Sequence, residues 1–137
     1  MKEAVVYCRV GSKEQLSDYR EKAVGYVRTN TSDPAKIEKQ IQEICQYAND
    51  KGFEIVQWYI DEAVSGLEKE PPAYKKMCKE SKAKVIIVTH LDRISRDRLL
   101  LATRRVSLAG KGFSIHSTES GELNVKETIG QLGSFII

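Results

Sequence analysis

Three arginines and two aspartates stand within the seven residues Asp92-Arg93-Ile94-Ser95-Arg96-Asp97-Arg98. Arginine forks suit phosphate oxygens, because two N–H groups bind one phosphate at once. Arg93 and Arg96 are three apart, so a helical turn would put them on one face; Arg93 and Asp97, four apart, could pair. Two more charged residues follow apolar runs elsewhere, Arg28 after Ala23–Val27 and Asp61 after Phe53–Ile60. Arginines beside a carboxylate suit phosphoryl transfer: they stabilise charge developing around phosphorus, with no metal required. That chemistry needs a nucleophile on the same rim. Asn30, Thr31, Ser32, Ser65 and Ser95 are the candidates. Asparagine has no hydroxyl and forms no phosphoester. Thr31 and Ser32 read as helix-entry residues, and Ser65-Gly66 as a turn. The plain alternative for the arginine cluster is a solvated, self-paired surface turn.

The elements that would position these groups alternate between strand and helix. Lys84–Val88 is mostly β-branched and apolar, the pattern of a strand buried on both faces. Ala23–Arg28 is a second strand. It runs into Thr31-Ser32-Asp33-Pro34, which predicts a helix with Asp33 as N-cap and Pro34 at the first helical position. Ile37, Ile41, Ile44, Cys45 and Ala48 continue at helical spacing, and Gly52 predicts a left-handed close. Phe53–Ile60 is the next strand, followed by the polar loop Asp61–Gly66. Pro71-Pro72 opens a short helix with Tyr74, Met77 and Cys78 on its core side. Leu99–Ala109 predicts a helix stopped by Gly110, and Phe113–Ser117 alternates as a strand. Asn124 and Glu127 have capping-box spacing ahead of a helical stripe of Val125, Ile129, Leu132 and Ile136. The expectation is a three-layer α/β/α sandwich with a mainly parallel sheet of about four to five strands and right-handed crossovers. Arg28, Asp61 and Arg93 would then lie at or beyond carboxyl ends of strands, where open α/β sheets hold ligands.

The whole chain sets bounds. Its 137 residues fit one domain with a real core; 41% are hydrophobic and 30% charged. A net charge of +3 permits a nucleic-acid partner only because the charge is clustered. Cys8, Cys45 and Cys78 are far apart and show no metal-ligand spacing, so neither metal nor cofactor is expected. Scattered cysteines, no signal peptide and no membrane-length apolar run point to the cytoplasm. A receiver or nucleotide-binding domain on a flavodoxin-like sheet is a competing class. It would want acidic residues at the end of its first strand, where this chain has Arg28-Thr29-Asn30, or a glycine-rich phosphate loop, which it lacks.

One internal echo stands out. Ala4-Val5-Val6-Tyr7-Cys8-Arg9 matches Ala23-Val24-Gly25-Tyr26-Val27-Arg28 at Ala, Val, Tyr and Arg. Taken together, Tyr26-x-Arg28, Gln40, Asp61-x-x-x-Ser65-Gly66 and Leu91-Asp92-Arg93-Ile94-Ser95-Arg96-Asp97 resemble the catalytic domain of the serine recombinases: resolvases, invertases and large serine integrases. The last piece, following an apolar strand, is the specific one. The resemblance runs from about Ala23 to the end. It leaves residues 1–22 as an extension carrying the echo, 23–123 as the catalytic domain and 124–137 as the start of a cut-off dimerisation helix. It implies DNA cleavage through a 5′-phosphoserine link and strand exchange by subunit rotation, within a homo-oligomer. It also implies that Arg28, Arg93 and Arg96 hold the scissile phosphate. Asp61 would orient them or move protons, and Tyr26, Gln40, Ser65, Gly66 and Asp92 would support the site.

The departures bear on activity. The family's nucleophilic serine lies two residues after the strand arginine, and here that position is Asn30. In the upstream echo it is Gly11, with Ser12 adjacent but out of phase. Pro71, preceded by Glu70, stands where a further arginine is expected. Three explanations are open: a decayed recombinase with a duplicated front end, a pseudo-enzyme acting through DNA or partner subunits, or a recombinase whose nucleophile is Ser12. Without the rest of the family's long helix, DNA contact should be limited to backbone phosphates. Phe135, Ile136 and Ile137 should favour loose or non-native dimers.

Overall fold

The computed structural model describes residues 20–123. The upstream echo with Ser12 and the expected helix from Asn124 lie outside the described residues. The chain order is β1 (Glu21–Arg28), α1 (Pro34–Lys51), β2 (Phe53–Asp61), α2 (Pro72–Glu80), β3 (Val85–Val88), a 3-10 turn (Leu91–Arg93), α3 (Arg98–Gly110), β4 (Ser114–Ser117) and β5 (Gly121–Glu122). The sheet order is β2-β1-β3-β4-β5. The first four strands are parallel and β5 turns back antiparallel on β4. The two-residue strand β5 has no sequence pattern and was not expected.

Alternation along β1 explains the layers. Ala23 and Val27 face α1 and pack with Ile41, Ile44, Ala48, Ile55 and Ile87. Val24 and Tyr26 face the other way and pack with Tyr59, Tyr74, Met77, Ile86 and Leu108 from α2, α3 and their strands. Two cores on opposite faces of one sheet make the α/β/α sandwich. β3 is buried along all four residues, as its unbroken apolar run predicts.

The helix ends follow local chemistry. Asp33 accepts from Ala35 N at 3.0 Å, and Gly52 closes α1 at φ 80°. Gly110, expected to stop α3, is instead its last helical residue; Gly112 takes the left-handed conformation at φ 90°. The stop shifts because Phe113 N reaches back to Leu108 O at 2.9 Å, which needs the turn two residues later. Among the described residues no helix is long and apolar enough to cross a membrane.

Candidate phosphate-binding site

Arg28 and Asp61 are direct register partners on β1 and β2, each the last residue of its strand. Both are buried, yet they do not pair with each other. Arg28 is 1% exposed. Its Nε donates to Arg93 O at 3.1 Å, its Nη2 to Asp92 O at 2.8 Å, and its Nη1 to Val64 O at 2.9 Å and Asn30 Oδ1 at 2.6 Å. One guanidinium thus ties the end of β1 to the loop after β2 and to the arginine turn. Burial lowers its pKa first, and the neighbouring Arg93 and Arg96 charges lower it further.

Asp61 serves a helix end. Its Oδ1 accepts from Ala73 N at 2.8 Å; its Oδ2 accepts from Tyr74 N at 3.0 Å and from Tyr26 Oη at 2.7 Å. Pro71 occupies the N-cap of α2 and offers no side-chain acceptor, so a carboxylate from β2 satisfies the orphan N–H groups instead. Among the described contacts Asp61 caps α2 and makes no ion pair with the arginines.

Arg93 does not pair with Asp97 as its spacing suggested. Its Nη1 donates to Arg28 O at 3.1 Å, and Gln40 Nε2 donates to the same carbonyl at 3.1 Å. Asp97 caps α3 through Leu100 N at 3.0 Å. The single helical face expected for Arg93 and Arg96 also does not form, because the 3-10 turn ends at Arg93 and Ile94 and Ser95 are buried. Asp92 contributes its carbonyl to Arg28, while its exposed carboxylate stays 3.9 Å from Arg93 Nε. Ser65 shapes the neighbouring turn, its Oγ accepting from Leu67 N at 3.1 Å.

Gly66 joins the two loops. Its carbonyl accepts from Arg96 N at 2.8 Å and Ser95 Oγ at 3.4 Å. A Cβ at Gly66 would overlap Cγ and Cδ of Arg96 and come within 2.8 Å of Arg28 Nη2. Arg96 is exposed and makes no hydrogen bond or ion pair with a described side chain, so it is the arginine that must move. Gly66→Ala is expected to weaken anion binding as much as Arg96→Ala does, with about 1–2 kcal/mol lost in urea unfolding. Binding equal to the parent's would show that Arg96 is not placed by this contact.

Sequence reasoning missed Arg104. It is 8% exposed and donates to Ile94 O at 2.6 Å and Lys69 O at 2.8 Å, with its guanidinium 4.8 Å from the Tyr74 ring centre. It holds the loop before α2 against the arginine turn. The signal was its phase: positions 101, 104 and 108 share a helical stripe, and the outer two are leucines.

The tyrosines behind the site give it an alkaline limit. Burial and a bond to Glu80 push Tyr59 up to about 12, and burial pushes Tyr26 and Tyr74 higher still. Above pH 10 the unfolded phenols ionise while the folded ones stay neutral, so the stability present below pH 10 is lost as pH rises. The loss is expected at about 1.4 kcal/mol per pH unit per tyrosine. Thermal melts between pH 9 and 11.5 should fall steeply; a flat profile would contradict the burial of these phenols.

The resolvase N-terminal domain family matches residues 23–137. This chain belongs to that family. Its fold agrees. The N-terminal catalytic domain of TP901-1 integrase superposes at TM-score 0.68 and 26% identity, covering 84% of this chain and 90% of that one. The C-terminal catalytic domain of ISC1926 TnpA, an IS607-like serine recombinase, does so at TM-score 0.63 and 26% identity, covering 84% and 80%. No curated protein matches by sequence. The resolvase domain therefore carries the arginine turn and the Tyr-x-Arg strand on a serine-recombinase catalytic fold, with Asn30 beside Arg28.

Proposed function

We propose that this resolvase domain binds DNA backbone phosphates through Arg93 and Arg96 and makes no covalent link to DNA from position 30. The observation that carries this reading is the 2.6 Å bond from Arg28 Nη1 to Asn30 Oδ1. It puts an amide, which cannot form a phosphoester, against the strand arginine. The other donors of Arg28 go to backbone carbonyls, so its charge is spent inside the protein. Arg96 is exposed, and the Arg93 side chain, 26% exposed, lies 3.9 Å from the Asp92 carboxylate. These two remain to meet an anion. The activity that fits is a pseudo-recombinase: phosphate contact without strand cleavage.

The test is incubation of the purified chain with supercoiled plasmid and with nicked duplex, followed by SDS gels. No protein–DNA adduct should appear, while duplex binding should weaken with salt. Arg96→Ala should lower the salt slope by about 0.9, the loss of one phosphate contact. An SDS-stable adduct from the unaltered chain would overturn the reading, and its loss in Ser12→Ala would move the nucleophile upstream.

A further inference from the structure

The sheet order β2-β1-β3 opens a crevice. The chain leaves β1 by α1 on one face and leaves β3, through the arginine turn, by α3 on the other, so the connections diverge at the carboxyl ends of β1 and β3. A cleft of about 270 Å³ lies there, walled by α1, the residues after β1 and the residues after β3. That is less than a drug-sized or nucleotide ligand needs, but room for a phosphate and part of its sugar.

The lining is unusual in two ways. Lys36 and Lys39 of α1 face it together with Arg93, against one carboxylate, Glu43, so it is net positive. Its wall also holds Gln40 Oε1, Thr89 Oγ1 and Arg93 Nε, each buried with no hydrogen-bond partner among the described residues. Five side-chain atoms in the described residues share that condition, and three of them belong to this wall. Each such atom costs about 1–3 kcal/mol unless something completes it. Thr89 is 1% exposed and Gln40 7%, so neither is a casual surface group. The Thr89 hydroxyl and Arg93 Nε are buried donors without a hydrogen-bond acceptor among the described residues, Arg93 Nε lying 3.9 Å from the Asp92 carboxylate. Gln40 Oε1 is an acceptor in the same wall as two lysine ammoniums.

We propose that this cleft is a second phosphate subsite. It takes the backbone phosphate adjoining the one held by Arg93 and Arg96, on a DNA strand that crosses the sheet edge toward α1, with Lys36 and Lys39 as its cationic ligands. The proposal rests on the DNA-backbone reading above and gives that reading a direction. Arg93 stands between the two positions, its Nη1 bonded to the end of β1 and its side chain lining the cleft. Glu43, one turn beyond Lys39 on α1, limits the subsite to a single phosphate.

Lys36→Gln/Lys39→Gln and Arg96→Gln answer the two questions separately, since both lysines are exposed on α1. Binding of a fluorescein-labelled 12-base-pair duplex is measured by anisotropy across a salt series, with circular dichroism as the check on folding. The lysine variant should bind about 10-fold more weakly at low salt, and its salt slope should fall by about 0.9. A lysine variant that binds like the parent, while Arg96→Gln binds weakly, removes the subsite and leaves the DNA reading standing. A parent chain that fails to bind duplex removes both. NMR with the 5′-phosphorylated thymidine dinucleotide gives an independent readout. Shifts at Thr89 and at the Gln40 side-chain amide support the subsite; shifts confined to the Arg96 loop mean the cleft holds only water, and overturn it.

Discussion

Arg28→Ala should lower the unfolding free energy by about 4 kcal/mol, a large share of what a small domain has. The side chain is 1% exposed and serves three backbone carbonyls and one amide oxygen. Removing it leaves those part-buried acceptors without their donor. The loss is smaller than four bonds to a charged donor would give. Removing the cation also removes its desolvation cost and its repulsion from Arg93 and Arg96, the causes that lower its pKa. Arg28→Lys should recover little, because a single ammonium cannot span carbonyls on two loops. Urea titration decides it: a change below about 1 kcal/mol would mean the carbonyls find other donors. It follows that lost DNA binding in an Arg28 variant says nothing about phosphate contact unless the variant is shown to be folded.

Asp61→Ala should cost about 3 kcal/mol, with Asp61→Asn about half of that. Asp61 is 3% exposed and accepts three hydrogen bonds, two from the first turn of α2 and one from Tyr26, itself fully buried. Alanine leaves a phenol without an acceptor and a helix end without a cap. Asparagine keeps one oxygen for the N–H groups but loses the charge at the helix N-terminus. The pair is informative about role. If Asp61 only positions α2, Asp61→Asn should leave duplex affinity within about 2-fold of the parent's while stability falls. A matched fall in affinity at full folding would return Asp61 to the phosphate site.

Where sequence reasoning succeeded, the signal was local. Asp33-Pro34 and Gly52 bounded α1 because caps are set by neighbouring residues. The run Lys84–Val88 marked a strand buried on both faces because no polar residue interrupts it. Arg28, Asp61 and Arg93 were placed at one edge by topology alone. What failed depended on partners distant in sequence. The spacing of Arg93 and Asp97 suggested a pair, but helix capping claimed the aspartate and a strand carbonyl claimed the arginine. The capping of α2 by Asp61 was out of reach for the same reason, because it answers a Pro71 that offers no capping side chain. Arg104 went unremarked because its partners, the carbonyls of Ile94 and Lys69, lie outside its own helix. That position 30 carries an amide and no hydroxyl is visible from the sequence alone.

The bonds of Arg28 also carry a time order. They join residues 64 and 65 apart in the chain, while β1, α1 and β2 are contiguous. A chain growing from its N-terminus completes β1, α1 and β2 long before the carbonyls of Asp92 and Arg93 exist. Until they arrive, Arg28 sits at the end of a central strand as an unburied charge that keeps the sheet edge wet. Contacts this far apart form late, because loop closure precedes any gain from them. The arginine turn therefore joins this edge after β1, α1 and β2, and a nascent fragment ending before it lacks the Asp92 and Arg93 carbonyls that bind Arg28.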